Sequence, residues 1–326
     1  MKPKVFAHIP ELLAGPALEL LMKHCDVELN VRDAKLPKRE LLRKAKGKEG
    51  FICLYFDPID EEVLEATPTL RIVSTVAVGY DNIDVQAATR RRIMVTNTPG
   101  VLDDTTADFA WALLLATARR VVEADGFVRA GRWKERNFTI MLGRDVHHKT
   151  LGIVGFGRIG RAMARRAWGF DMRILYTQRH RADEAIEQEV RAAYVDKATL
   201  LKESDFVTLH IPLTPETHHY IGAKELTMMK QTAILINTAR GPVVDEKALV
   251  KALRERRIAG AGLDVFEREP KIERGLLRLN NVVLGPHIGS GSLETRTKMA
   301  LMAAENLVAG LMGKRPPNLL NPEVLG

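Results

Sequence analysis

TLGIVGFGRIGRAMARRA, residues 150–167, fixes the architecture to be expected of this chain of 326 residues. Its opening reads as a short buried strand, because Leu, Ile and Val dominate and no polar alternation marks a solvated face. A turn follows in which Gly155, Gly157 and Gly160 stand in the spacing GxGxxG, and the remainder reads as a helix. Each glycine has its own reason: Gly155 makes the tight turn, Gly157 lets backbone approach a pyrophosphate, and Gly160 lets helix and strand pack closely. The helix, opening at Arg158 and Ile159, would offer phosphates its unpaired N–H groups and positive dipole end. Strand, turn and helix in this order predict a dinucleotide-binding unit, which the glycine spacing alone would not.

Outward from this segment, short apolar runs alternate with helical patterns, as parallel α/β architecture requires. KVFAHI, DVELNV, GFICLYF, RIVSTVA and IMVTNT read as strands of a first unit; LGIVG, RILYT, DFVTLHI, AILINT, GAGLDV and NVVLG read as strands of a second. The stretch from Asp104 to about Arg129 carries Phe109, Leu113 and Ala116 at helical spacing and predicts one helix long enough to bridge two domains. No flexible tether separates the units. A second long helical pattern, SLETRTKMALMAAENLVAGLM at 292–312, precedes the Pro-rich tail KRPPNLLNPE.

Three apolar runs end in polar groups. Arg240 follows the strand in AILINTAR, Glu269 follows GAGLDV, and His287 follows NVVLG. The carboxyl ends of strands line the ligand crevice of an open α/β sheet, so these residues could converge on one small molecule. An arginine, a carboxylate and an imidazole suit a carboxylate-bearing substrate whose carbonyl gains or loses a proton. Singly, each would more often be structural; their company with the glycine turn points to chemistry.

Composition agrees without deciding. The length favours two domains, and 46% hydrophobic residues fill two ordinary cores. Cys25 and Cys53 are the only cysteines, and their apolar surroundings predict buried free thiols; no metal site is expected. No apolar run is long enough to cross a bilayer, and MKPKVFAHIPE lacks the apolar core of a secretory signal, so a soluble cytoplasmic protein with no membrane partner is expected. The formal charge of +8 does not imply nucleic-acid binding, because the cations are interleaved with acids, as in LPKRELLRKAKGKEG at 36–50, a pattern that reads as a solvated helix face. A basic surface instead helps to steer anionic ligands.

The preferred cofactor is read from the end of RILYT. An NAD-preferring site places Asp or Glu about 20 residues past the glycine motif, on the ribose hydroxyls. RILYTQRHR, residues 173–181, contains no acid, and Gln178, Arg179 and His180 could accept a 2′-phosphate instead. NADP(H) is therefore the expected cofactor, with NAD(H) as the alternative if this basic turn faces solvent.

The chain also resembles a known family, the D-isomer-specific 2-hydroxyacid dehydrogenases, and within it the glyoxylate and hydroxypyruvate reductases. The resemblance rests on VAVGYDNID at 76–84, VTNTPGVLDDTTADFAWALLLATAR at 95–119, GIVGFGRIG at 152–160, HIPLTPET at 210–217, ILINTARGPVVDE at 234–246, AGLDVFEREP at 261–270 and PHIGS at 286–290. It implies two doubly wound parallel-sheet domains, with a Rossmann cofactor domain at 100–287 inserted into a flavodoxin-like substrate domain formed by 1–99 and 288–326. It implies that Arg240 pairs with the substrate carboxylate and touches its carbonyl oxygen, and that His287 is the general acid in reduction and the base in oxidation. Glu269 would hold the other ring nitrogen of His287 and favour its protonated form. Val78 and Gly79 would present backbone N–H groups to the carboxylate, with Tyr55 in the same pocket. Asp264 would bind the nicotinamide carboxamide, and Thr106, Pro212, Thr217, Thr238 and Gly289 fall in motifs that hold the cofactor.

The resemblance further implies a homodimer and a 2-oxo or 2-hydroxy acid substrate. Phosphite dehydrogenases, with a lysine at the position of Val78, and formate dehydrogenases, with a glutamine at the position of Glu269, fit less well. The segment 131–150 is shorter than in glyoxylate reductases and lacks their second tryptophan. This keeps 2-ketogluconate or a larger 2-oxo acid as alternatives, and a nucleotide-sensing corepressor-like protein as an alternative of another class.

Overall fold

Two parallel sheets take up every strand of the chain in a computed structural model that describes residues 1–326. One unit comprises Met1–Leu102 and Gly291–Gly326, and the other Asp103–Ser290, so the second is inserted into the sequence of the first. The crossings lie a few residues beyond 99/100 and 287/288.

The first unit runs β1 (Lys4–His8), α1 (Glu11–His24), β2 (Asp26–Asn30), α2 (Lys38–Ala45), β3 (Gly50–Cys53), α3 (Glu61–Glu65), β4 (Ile72–Thr75), α4 (Val85–Arg90) and β5 (Met94–Thr96). Its sheet has the order β2-β1-β3-β4-β5, all parallel. Every residue of β3 and β4 is buried, as expected of strands covered on both faces. Phe6, Phe51, Val73 and Val95 of the sheet pack with Leu41, Leu64 and Ala87 of the helices. The basic segment 36–50 is amphipathic: Leu36, Leu41 and Ala45 are buried, while Lys44 and Lys48 pair with Glu28.

The second unit opens with α5 (Asp103–Ala118) and α6 (Val121–Arg129). This corrects the single bridging helix expected from Asp104 to Arg129. Arg120 takes a left-handed conformation, φ 55°, which ends one helix before the next begins, and α5 lies wholly in the second unit. Ala107, Ala110, Trp111, Leu113 and Leu114 of α5 are buried in that unit's core. There follow β6 (Thr150–Val154), α7 (Arg158–Ala167), β7 (Arg173–Thr177), α8 (Glu184–Val190), β8 (Ala192–Tyr194), α9 (Lys197–Glu203), β9 (Phe206–Leu209), α10 (Ala223–Met228), β10 (Ile234–Asn237), α11 (Glu246–Arg254), β11 (Gly260–Leu263) and β12 (Val282–Leu284). The sheet order is β12-β11-β10-β9-β6-β7-β8. The order reverses between β6 and β9, which opens a crevice at their carboxyl ends. β8 is a three-residue edge strand, too short for its periodicity to be read from sequence.

The final helix, α12 (Leu293–Leu311), returns to the first unit and packs on α1, β3 and β4. Both cysteines are buried and free. No helix is long and apolar enough to cross a membrane.

Candidate active site

β10, β11 and β12 are neighbouring parallel strands, so the segments leaving their carboxyl ends lie side by side. Arg240 leaves β10, Glu269 leaves β11 and His287 leaves β12. His287 Nδ1 is 2.7 Å from Glu269 Oε2, and Glu269 Oε1 accepts the Phe266 N–H at 2.9 Å. Burial pushes the Glu269 carboxyl up, but the His287 hydrogen bond and charge, the Phe266 N–H and the Arg240 charge together hold it below the usual glutamate range. Glu269 is therefore an anion committed to orienting one ring nitrogen.

The loop carrying His287 is fixed by Asp264. The Asp264 backbone carbonyl accepts the His287 N–H at 2.8 Å. Its side chain accepts from Ile288 N at 2.9 Å and Gly289 N at 2.7 Å. These bonds hold His287 at φ 58°, a left-handed conformation rarely taken by a side chain-bearing residue. Burial raises the Asp264 pKa, and the two backbone bonds and the His287 charge only partly offset it. Asp264 thus acts first as the brace of the histidine loop.

Arg240 is set by Asn237 and Gly241. Asn237 Oδ1 accepts from Ala239 N at 3.0 Å and its Nδ2 donates to the Arg240 carbonyl at 3.0 Å, which shapes the exit from β10. The Arg240 guanidinium donates from Nη1 to the Ala239 carbonyl at 2.8 Å. A Cβ on Gly241 would fall 1.8 Å from the Phe266 carbonyl carbon. Close backbone approach therefore ties the arginine turn to the loop that carries Glu269.

The glycine turn has the form a dinucleotide requires. Gly155 has φ 91° and its missing Cβ leaves room for the His210 carbonyl, while a Cβ on Gly160 would strike the Gly155 carbonyl oxygen. A Cβ on Gly157 would meet nothing within 4 Å, so no protein atom accounts for that glycine. The open space is what a pyrophosphate against the α7 N-terminus would use. Thr238 Oγ1, just past β10, is buried with no protein partner, and Thr106 is buried beside Gly289 on the same unit. Pro212 and Thr217 form one turn, in which Thr217 Oγ1 donates to the Pro212 carbonyl at 2.6 Å. These residues fit a dinucleotide.

Gln178 is the first residue past β7, where an NAD-preferring site has its acid. Its Oε1 accepts the Phe156 N–H of the glycine turn at 3.1 Å. Arg179 and His180 are exposed. Arg181 is instead held by a two-point pair with Glu187, at 2.9 and 2.7 Å, and Tyr176 donates to the same carboxylate. The Arg181 bonds, then the Tyr176 bond, outweigh burial and lower the Glu187 pKa to about 2.

Val78 and Gly79 follow β4, and Tyr55 follows β3, all on the first unit. The Val78 carbonyl accepts from Asn97 Nδ2 at 2.8 Å. No group of three or more His, Cys, Asp or Glu side chains could hold a metal ion. Sequence reading missed Asn237, Gly241 and the bracing bonds of Asp264, none of which has a charge pattern to announce it. It also missed His210, whose Nε2 is 2.9 Å from Thr208 Oγ1 and whose pKa burial lowers to about 3. Only the run NTARG, where a buried strand ends in polar residues, hinted at Asn237 and Gly241.

A cofactor unit with a glycine turn and, on adjacent strand ends, an arginine and a carboxylate-paired histidine defines an NAD(P)-dependent dehydrogenase of the 2-hydroxyacid class. The chain belongs to the D-isomer specific 2-hydroxyacid dehydrogenases, whose NAD binding domain matches residues 111–289. It is 55% identical to a glyoxylate reductase of Thermococcus litoralis over 100% of this chain and 98% of that protein. It is 56% identical to a glyoxylate reductase of Korarchaeum cryptofilum, with the same coverage. Among solved structures it is similar to an NADPH-dependent glyoxylate/hydroxypyruvate reductase from Sinorhizobium meliloti in complex with NADP and malonate. The TM-score is 0.87 and the identity 32%, over 99% of this chain and 98% of that one.

Proposed function

We propose that the protein is a cytoplasmic homodimer that reduces glyoxylate, and with it hydroxypyruvate, to the 2-hydroxy acid, of D configuration where the product is chiral, with NADPH preferred over NADH. The observation that carries this reading is the His287–Glu269 hydrogen bond at the strand ends from which Arg240 also emerges. With Nδ1 bonded to Glu269, the His287 ring gives its Nε2 proton to the carbonyl oxygen as that oxygen gains charge. Arg240 holds the substrate carboxylate and polarises the carbonyl, because a guanidinium offers several fixed donors. Val78, Gly79 and Tyr55 are assigned to the substrate on the family pattern. Gly155, Gly157, Gly160, Arg158, Ile159, Thr106, Pro212, Thr217, Thr238, Asp264 and Gly289 are assigned to the dinucleotide, which when bound supplies the hydride. Oxidation of NADPH followed at 340 nm across a panel of 2-oxo acids tests the reading. Turnover with glyoxylate and hydroxypyruvate is expected, and none with any member would overturn it.

The cofactor preference is supported by the missing carboxylate past β7 and by the exposure of Arg179 and His180. The Arg179 charge also contributes, after the Thr214 hydrogen bond, to lowering the Glu216 carboxyl, so positive charge is felt near the turn that contains Thr217. A hydrogen bond from arginine to a 2′-phosphate contributes about 1.5–3 kcal/mol, or roughly tenfold to hundredfold in preference. Arg179→Ala should raise KM for NADPH by that factor and leave KM for NADH nearly unchanged. Gln178→Asp should shift preference toward NADH. Steady-state kinetics with both cofactors check this, and equal efficiency with NADH in the unmodified protein would refute it.

The dimer is supported by surface apolarity. Val121, Val122, Val128, Trp133, Phe138 and Leu142 are exposed, Phe138 completely, and α6 buries no residue at all. So much uncovered apolar surface on one segment supports an interface there. Sedimentation should show a dimer, and Phe138→Asp combined with Trp133→Asp should shift it toward monomer. A concentration-independent monomer for the unmodified protein would remove the proposal.

A further inference from the structure

In the five-stranded sheet the strand order reverses between β1 and β3, where an open α/β sheet keeps its crevice. His8 ends β1 and Asp57 follows β3 there, and both are wholly buried. Asp57 Oδ2 is 2.6 Å from His8 Nδ1 and accepts the Leu54 N–H at 2.9 Å. His8 Nε2 is 2.8 Å from the Arg32 carbonyl. A carbonyl only accepts, so Nε2 carries a proton; Nδ1, facing a carboxylate oxygen that already accepts one N–H, carries the other. The Asp57 carboxylate at Nδ1 and the carbonyl at Nε2 both favour the imidazolium form of this buried ring.

This pair closes a turn. Asp57 N–H donates to the Leu54 carbonyl at 3.0 Å, and Tyr55 and Phe56 occupy the two positions between. Asn82 Nδ2 donates to the Leu54 carbonyl at 3.2 Å and to the Asp57 carbonyl at 2.9 Å. Asn82 lies in the loop after β4 that holds Val78 and Gly79. The Phe56 ring stands edge-on to His8 at 6.0 Å and to Tyr55 at 4.8 Å. A buried ion pair is a poor source of stability but a strict geometric constraint, because either charge left alone is costly.

We propose that His8, Asp57 and Asn82 form a positioning network that fixes Tyr55 and Phe56 against the Val78–Gly79 loop and so sets the size of 2-oxo acid the protein accepts. The proposal rests on the reading of Tyr55, Val78 and Gly79 as substrate contacts. The three network residues act through that turn and loop and touch no reacting atom. Burial disfavours the charged His8 ring, but the Asp57 bond and charge, the Arg32 carbonyl and the Asp33 charge more than offset it, so its pKa lies above the ordinary histidine value. The contribution of the pair is complete below that ordinary value and is lost as pH rises through the raised one. Asp33, whose charge acts on His8, and the buried Cys53, which faces Asp57, are the titratable groups against the pair, and Cys53 stays a neutral thiol because burial raises its pKa.

Asp57→Asn, which keeps the shape and removes the charge, and Asn82→Ala test the network. Three readouts separate its outcomes: hydrogen exchange of the 54–57 amides, KM and kcat for glyoxylate against a larger 2-oxo acid, and cofactor affinity. Faster exchange, a KM raised roughly tenfold with kcat held within about threefold, and altered size selectivity are expected, with cofactor affinity unchanged. In the unmodified protein KM should climb on the alkaline side, and Asp57→Asn should abolish that dependence. Unchanged exchange, or a lower Tm with unchanged KM and selectivity, would overturn the proposal. If Asp57→Asn does not fold, Asn82→Ala, at a half-buried position, decides between the same outcomes. Absence of 2-oxo acid turnover in the unmodified protein would overturn the functional reading, and exchange would still report on the network.

Discussion

His287→Ala is expected to lower kcat for 2-oxo acid reduction by roughly 10²-fold or more, the usual contribution of a positioned acid–base group. Cofactor affinity should stay close to that of the unmodified protein, because the Asp264 bonds to Ile288 N and Gly289 N use backbone that the substitution retains. A combined measurement of kcat and cofactor Kd therefore separates lost proton transfer from a collapsed loop. Retention of most of the activity would show that another group supplies the proton. The pH dependence has a defined sign. Glu269 is held below the ordinary glutamate value of about 4.3, so its carboxylate orients the ring at every pH above that value. The brace is lost only as pH falls through the lowered pKa, and with it the stability that the ionised pair contributes. Glu269→Gln should keep a bond to Nδ1 but lose the charge, which lowers activity less than His287→Ala does.

The sequence carried the fold where it was strongly patterned. The runs of Val, Ile, Leu and Ala read as strands end within a few residues of the observed ones, because strands buried on both faces admit little else. They omit only β8, an edge strand of three residues whose Ala-Ala-Tyr carries no period. The single helix expected from Asp104 to Arg129 became two because the left-handed Arg120 has no composition signal; arginine is a good helix former, and only the backbone shows the break. The site was readable to the extent that its groups are charged. Arg240, Glu269 and His287 stand out after apolar strands. Their supports do not: Asp264 spends its carboxylate on two backbone N–H groups, Asn237 on a turn, and His8 pairs with a residue 49 positions away. Such bonds depend on where parallel strands end side by side, which single-sequence reading does not fix. The same limit applies to Gln178, whose bond to the glycine turn appears only once β6 and β7 are neighbours.

Gly241→Ala is expected to be nearly as damaging as loss of His287, although the glycine bears no functional group. The added methyl would lie 1.8 Å from the Phe266 carbonyl carbon, 2.0 Å from its oxygen and 2.4 Å from Glu267 N. All three are backbone atoms, so no side-chain rotation relieves the overlap and one of the two loops must move. Overfilling a packed interior costs about 1–3 kcal/mol, occasionally more, so the second unit should melt earlier but still fold. The larger effect is on chemistry. Phe266 N–H anchors Glu269, which anchors His287, while the residue before the glycine is Arg240 itself. A displacement of about 1 Å in a catalytic arrangement can lower the rate on the order of 10²-fold. Turnover of 2-oxo acids should therefore fall by that order, while dinucleotide affinity falls less, because Gly155, Gly157 and Gly160 lie on the separate segment after β6 and only Thr238 and Asp264 share the displaced segments. Val243→Ala, which leaves a small void in the same buried turn without touching the Phe266 backbone, serves as the control and should retain most activity. Kinetics and thermal melts on both variants decide the matter: equal activity losses in the two would mean that the effect is general destabilisation, and full activity in Gly241→Ala would mean that the Arg240 and Glu269 segments can move independently.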